Sequence, residues 1–374
     1  MRSFNQLRQT RFGKRAAGEQ SIRTRATRTV LSRGRVFRAV AFVALSLVAF
    51  IGLALSLGVP HLGRGHASLM AAEAVPPAQP APPPQGYRPQ FRDMVGINGG
   101  ALRPDLMSAM KIGALRFAVS WDTVEPSRGQ WNWTSTDGFI RGGAVQGYEM
   151  VPMLGYMARW AANGPNGSVP PKNLSDWTDY VTAVVARYSA APYNVKYFQV
   201  WNEPTKAAGF WKGATDLQWV DVIYLPAARV IRDHGARVVF GGWPQNGPLP
   251  QLDAELQYRN AWQLTDIIDI HYFGLPAIQQ IYAKWIATGK CKGIWETEVG
   301  NVNNPVFLTN LYSGMFNWAK ARGNWTFPDQ YKLFWYTGIG AGCSICLAQT
   351  GADGKTEALT ANGQALQRLA QSLP

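Results

Sequence analysis

Cysteine and charge are both scarce in this chain. Three cysteines in 374 residues exclude a small disulfide-framed scaffold, and 47% hydrophobic against 16% charged residues excludes a wholly disordered polymer. Cys343-Ser-Ile-Cys346 has CxxC spacing, but no second CxxC or His pair accompanies it, so a zinc site is not indicated. Buried thiols or one local disulfide are expected among Cys291, Cys343 and Cys346, and nothing calls for a metal or another cofactor. Acidic residues are few enough to leave a net charge of +14. That excess is local. Residues 1–38 hold 11 Lys/Arg against Glu19 alone, leaving 26 basic and 22 acidic residues in the rest, so the body has no phosphate-binding bias and nucleic acid is not an expected partner.

What is abundant comes in blocks. Residues 39–59 carry no charge at all; as a helix they would rise about 31 Å, the thickness of a bilayer core. All the basic residues of the leader precede this run, so the positive-inside rule predicts a single span with residues 1–38 cytoplasmic and everything after Pro60 outside, at a bacterial inner membrane facing the periplasm. A signal peptide cut near residues 67–74, giving a secreted protein, and a basic RNA-binding arm are the competing readings. Residues 60–92 form a linker whose last part, 71–92, has seven prolines and few large aliphatics, which suits a polyproline-type spacer. The globular domain is expected over 93–374.

Within that domain, short β-branched or aromatic runs alternate with helical patterns, the signature of repeated βα units. Strands are predicted at 94–98, 114–120, 149–154, 195–201, 237–241, 267–272, 293–298 and 332–336. Eight strands at about 34 residues per unit match a (β/α)8 TIM barrel, an α/β fold. No GxGxxG follows the first strand, which argues against a doubly wound sheet. Trp177, Tyr180, Val181, Val184, Val185 and Tyr188 share one helical face, and Pro226 should kink the helix opened by Thr215 and Gln218.

Polar residues at the C-terminal ends of barrel strands are candidates for catalysis. The fourth strand ends Gln199-Val-Trp-Asn-Glu-Pro204 and the seventh Ile294-Trp-Glu-Thr-Glu-Val-Gly300, which brings Glu203 and Glu298 to the mouth from opposite sides. Two facing carboxylates are what glycoside hydrolysis needs: one protonates the leaving oxygen and the other attacks the anomeric carbon. Glu296 shares a strand face with Glu298 one step deeper, and a buried acid there needs a partner such as Arg116 or His271. Trp121, Trp160, Trp211, Trp243 and Trp335 lie at or past strand ends, where aromatic faces can stack on sugar rings. His234 reads as a helix C-terminal charge.

Several stretches, taken in order, resemble the clan of retaining (β/α)8 glycoside hydrolases, most closely glycoside hydrolase family 39 and its bacterial relatives. They are Leu115-Arg-Phe, Trp121-Asp-Thr-Val-Glu-Pro-Ser-Arg-Gly129, Trp160, Val200-Trp-Asn-Glu-Pro204, Phe210-Trp-Lys-Gly213, His271-Tyr, Thr297-Glu-Val-Gly300 and Trp335. The resemblance implies Glu203 as acid/base, Glu298 as nucleophile, Asn202 on the neighbouring sugar hydroxyl, and Arg116 as the cation that keeps the nucleophile ionised. His271, Tyr272, Trp160 and Trp335 are the further substrate-binding candidates, with Trp160 and Trp335 as stacking platforms. The clan often has Tyr two residues after the strand-six His; here Phe273 holds that place and Tyr272 precedes it, leaving open whether Tyr272 reaches the nucleophile.

The expected protein is a membrane-anchored hydrolase of a β-linked polysaccharide, an exopolysaccharide near an envelope synthesis machine. A transglycosylase, or a non-catalytic glycan-binding or assembly component on the same fold, is the alternative.

Overall fold

The computed structural model describes residues 86–99, 101–164, 167–321, 325–341, 343–350 and 357–374. The expected cytoplasmic leader, the 39–59 span and most of the linker lie outside the described residues. Among those described, no helix is long and apolar enough to cross a membrane.

Eight parallel strands close into one barrel in sequence order: β1 (Val95–Asn98), β2 (Ala114–Val119), β3 (Glu149–Leu154), β4 (Tyr197–Val200), β5 (Arg237–Val239), β6 (Ile267–His271), β7 (Gly293–Val299) and β8 (Tyr331–Tyr336). All eight expected strands are present. The expected ends of β4 and β6 are trimmed because Trp201 (φ 71°) and Tyr272 (φ 60°) enter left-handed backbone, which a strand cannot continue through. The barrel interior is filled by Ala114, Val151, Tyr197, Val239, Ile267, Trp295 and Phe334, one from each of β2 to β8. β1 gives Gly96 to that level, where a Cβ would stand 2.4 Å from the Phe334 ring. The missing side chain makes room for the large one opposite.

Outside the strands, the helix Leu174–Ser189 buries Trp177, Tyr180, Val181, Val184, Val185 and Tyr188, the face expected from the 3.6-residue period. Thr215 caps its helix by accepting the Gln218 N–H, and a π-turn at Val220–Tyr224 comes just before Pro226. The proline is thus accommodated at the start of a fresh α-segment, Leu225–Asp233. His234 closes that segment, its Nδ1 2.8 Å from the Val230 carbonyl.

The globular unit starts earlier than residue 93. Phe91 is fully buried and its N–H donates to the Pro374 carbonyl at 2.6 Å, tying the entry of the chain to the helix Ala361–Ser372 side of the fold. After β8 the chain adds a small sheet, β9 (Ile339–Ala341), β10 (Ala348–Thr350) and β11 (Glu357–Leu359), absent from the sequence expectations because each strand has only three residues. Cys343 and Cys346 form a disulfide in this excursion, and Cys291 is a buried free thiol.

Candidate active site

On β2, strand alternation delivers a cation to the barrel mouth. Along β2, Ala114 fills the interior and Arg116, two residues on, points the same way but higher. Arg116 then makes three charge-assisted bonds at 2.6 Å: Nε to Gln199 Oε1, Nη1 to Glu298 Oε1 and Nη2 to Asn202 Oδ1. One rigid fork therefore sets the places of three residues from the ends of two other strands, β4 and β7.

Glu203 follows β4 with φ 47°, and its N–H donates to the Gly242 carbonyl at 3.1 Å. A left-handed non-glycine residue held by its surroundings is a form of strain found at working sites. His271, fully buried at the end of β6, stands with Nδ1 2.9 Å from Glu203 Oε1. Oxygens of Glu203 and Glu298 and a ring nitrogen of His271 all lie within 4.8 Å of one another. Such a trio could clasp a cation, but the Arg116 guanidinium already occupies Glu298 with a fixed positive charge. The two carboxylates thus approach closely enough for the narrow spacing, about 5–5.5 Å, that distinguishes retaining from inverting glycosidases.

Burial pushes the Glu298 carboxyl up, yet His271, Arg116 and a hydrogen bond from Asn98 hold it below its ordinary 4.5. It is thus held in its ionised form. Tyr272 completes its surroundings, donating its hydroxyl to Glu298 Oε2 at 3.4 Å. The left-handed turn at Tyr272 breaks strand alternation, which is how the ring reaches Glu298 although Phe273 stands two residues after His271.

Glu296 departs from expectation. The pairing of β6 with β7 shifts so that Ile270 faces Glu296 and His271 faces Glu298, a bulge at Thr297 that separates the two acids onto different faces. Glu296 does not meet Arg116 or accept from His271. Its Oε1 accepts the N–H groups of Phe273 and Gly274 at 2.6 and 3.1 Å, its Oε2 has no partner, and burial pushes its carboxyl up to about 7.

The tryptophans also need correction. Trp335 is fully buried, with its indole N–H on the Ile345 carbonyl at 2.7 Å and its ring among Phe307 and Tyr312. Because Phe334 fills the barrel, its neighbour must face the helices, so Trp335 cannot be a sugar platform. Trp121, Trp211 and Trp243 are fully buried as well. Trp160 remains half-buried in the loop after β3, donating to the Glu125 carbonyl at 2.8 Å with Arg128 5.2 Å over its ring.

Other aromatics take the mouth. Tyr336, 41% exposed at the end of β8, lies in register with Asn98. Tyr156 stacks on the exposed Phe210, and its hydroxyl hydrogen-bonds Asn202. Asn98, Tyr156, Tyr336, Gln199, Asp269 and Thr297 were not among the expected site residues. The last three carried a readable signal, since a polar residue inside an aliphatic strand such as Ile267-Ile-Asp-Ile270 must find a buried partner.

An eight-stranded parallel barrel with two mouth carboxylates is the arrangement of the retaining (β/α)8 glycoside hydrolases, and the chain is similar to proteins of that clan. A family 39 β-xylosidase from Caulobacter crescentus superposes with a TM-score of 0.56 at 17% identity, covering 79% of this chain and 73% of that one, a likeness of fold. In sequence, endo-1,4-β-xylanase A of Fusarium oxysporum f. sp. lycopersici is 25% identical over 115 residues, 30% of this chain and 34% of the xylanase. A β-xylosidase of Geobacillus stearothermophilus is 31% identical over 100 residues, 24% of this chain and 19% of that enzyme. The matches thus span about a third or less of these two relatives. No protein-family profile matches the chain.

Proposed function

We propose that this protein hydrolyses a β-linked polysaccharide with retention of anomeric configuration. Glu203 gives its proton to the departing glycosidic oxygen while Glu298 attacks the anomeric carbon; water, deprotonated by Glu203, then releases the sugar. The observation that carries this reading is the close approach of the Glu203 and Glu298 oxygens with Arg116 bonded to Glu298. A fixed cation against one acid separates the protonation states of the pair, which is the division of labour the chemistry requires.

The partial sequence relatives, a xylanase and a β-xylosidase, make β-xylan the first polymer to try. The finer reading is an exopolysaccharide hydrolase held in a bacterial inner membrane by the 39–59 span, its barrel in the periplasm near envelope synthesis machinery. The local disulfide Cys343–Cys346 suits an oxidising compartment.

The test uses the full chain in detergent. It is incubated with β-xylan, β-glucans, β-mannan and bacterial exopolysaccharides, and the first-formed anomer is read by proton NMR. A β-anomer from at least one polymer is expected; an α-anomer refutes retention, and silence on every β-glycan with no labelling by 2-fluoro β-glycosides refutes the reading. A reporter active only in the cytoplasm, fused after Pro374, should be dark if the span is oriented as read.

A further inference from the structure

Behind the two catalytic carboxylates lies a buried polar chain that the proposed reaction does not itself use. Asp269 and Thr297, on neighbouring strands, are both fully buried. Asp269 Oδ1 accepts the Thr297 N–H at 3.0 Å, while Oδ2 accepts the Thr297 hydroxyl at 2.7 Å and the Gln199 amide at 2.8 Å. His271 Nε2 stands 3.0 Å from the same Thr297 Oγ1. A hydroxyl has one proton to give, and Thr297 gives it to a carboxylate that only accepts. Thr297 Oγ1 can then only receive from His271, so Nε2 must carry hydrogen.

We propose that Asp269 and Thr297 are positioning residues that pin the proton on His271 Nε2, so that every change in the protonation of the ring occurs at Nδ1, against the acid/base Glu203. This rests on the hydrolase reading above. With Nδ1 protonated, the 2.9 Å contact has Nδ1–H donating to Glu203 Oε1, which anchors that oxygen as an acceptor and leaves Oε2 to carry the acid's own proton to the glycosidic oxygen. The bulge at Thr297 gains a purpose here, because it places the hydroxyl toward Asp269 while still presenting Glu298 to the mouth. Gly242 serves the same end: a Cβ there would stand 2.5 Å from Nε2.

The charged groups facing the ring come from every neighbouring element. Glu203 follows β4; Asp269 Oδ2 lies 3.9 Å from Nε2 on β6; Glu298 Oε1 lies 3.9 Å from Nδ1 on β7. Tyr272 approaches edge-on, Glu296 lies in electrostatic reach, and Arg116 of β2 is joined to the chain through Gln199. Burial pushes the Asp269 carboxyl up to about 6, so the pin is complete above that pH.

The chain has four histidines, which makes nitrogen-15 NMR of histidine-labelled full-length protein at pH 8 a direct test, with His234→Gln aiding assignment. Wild type should show the Nε2–H tautomer at His271, and Thr297→Val should shift it toward Nδ1–H. An Nδ1–H wild type overturns the proposal whether or not any glycan is cleaved, whereas failure of the hydrolase reading shows instead as absence of turnover with the tautomer intact. In kinetics, Thr297→Val should lose about tenfold to a hundredfold on unactivated β-glycosides and little on aryl glycosides that depart without a proton. The basic limb of its kcat/KM profile should move, and Thr297→Ser should restore both. Equal losses on the two substrate classes with an unmoved limb would reduce Thr297 to a packing role and overturn the proposal.

Discussion

Arg116 Nη1 lies 2.6 Å from Glu298 Oε1, and its Nη2 lies 2.6 Å from Asn202 Oδ1. One guanidinium therefore touches both Glu298 and the residue next to Glu203, while bonding ionically to Glu298 alone. The pH behaviour of the site follows from this asymmetry.

As the proposed nucleophile Glu298 must be ionised, and its pKa in the fold is depressed. Activity should persist below the ordinary carboxylate range and fall only as pH drops through that depressed value. Arg116→Met removes one of the three groups that oppose burial, so the acid limb of kcat/KM should move upward by about 1–2 pH units. The same linkage holds for stability: the pair stabilises the fold above the unfolded carboxylate pKa and loses that contribution as pH falls through the folded one. Breaking this buried pair should cost about 3–5 kcal/mol at neutral pH in urea unfolding. An unmoved acid limb would disconnect Arg116 from the ionisation of Glu298.

The two carboxylates should separate by rescue chemistry. Glu203→Gln should lose roughly 100-fold to 10,000-fold on unactivated glycosides and far less on aryl glycosides with good leaving groups. Glu298→Ala should be inactive on both, and azide should restore turnover of an activated β-glycoside as the α-glycosyl azide. A β-azide from Glu298→Ala would reverse the assignment, since azide entering from the vacated nucleophile side must invert.

Glu296 gives a contrasting prediction. Its Oε1 holds the Phe273 and Gly274 N–H groups, the two residues after Tyr272, so it fixes the turn that brings Tyr272 to Glu298. Glu296→Gln keeps an acceptor and should fold and turn over nearly normally. Glu296→Ala leaves two buried donors unpaired, about 1–3 kcal/mol for each, and should lose activity with no azide rescue. Because the Glu296 pKa is raised to about 7, its favourable protonated form is fully present below the unfolded value and lost as pH rises through about 7. The stability advantage of Glu296→Gln over wild type should accordingly grow from pH 5 to pH 8; a constant difference would mean that Glu296 does not titrate in this range.

The sequence makes some of this site legible and conceals the rest for a physical reason. Glu203, Glu298 and Arg116 stand out because a charge interrupts or ends an apolar strand, and such a charge has few places to go except the mouth. The face taken by a residue, however, depends on register. Trp335 was lost to the helical layer because Phe334 filled the barrel, and Glu296 was moved off the Glu298 face by a one-residue bulge. Neither event leaves a mark in local composition. Tyr272 shows the converse: a left-handed backbone placed it on the nucleophile against strict alternation. The Gln199, Asp269 and Thr297 chain joins residues 70 and 28 positions apart, so only the closed barrel reveals that the three polar interruptions answer one another.

The last prediction concerns an acid far from this chemistry in role. Glu255, on the helix Leu249–Gln257, is fully buried with neither carboxyl oxygen partnered, and burial, reinforced by the negative charge of Asp216, pushes its carboxyl from 4.5 up to about 9. At neutral pH it is protonated in the fold and ionised when unfolded. A raised pKa of this kind means that the stability it contributes is present below about 4.5 and is lost as pH climbs toward 9, where the fold must either bury a bare charge or open. Glu255→Met has a similar length and no charge to desolvate. It should raise the unfolding free energy at pH 7–8 by about 1–4 kcal/mol, the range seen when buried ionic groups are replaced by well-packed apolar ones. The gain should shrink toward pH 4, and glycosidase activity should be unchanged because the residue touches none of the mouth groups. A destabilised Glu255→Met with a flat pH dependence would show instead that the carboxyl is satisfied by ordered water and belongs to the packing of that helix.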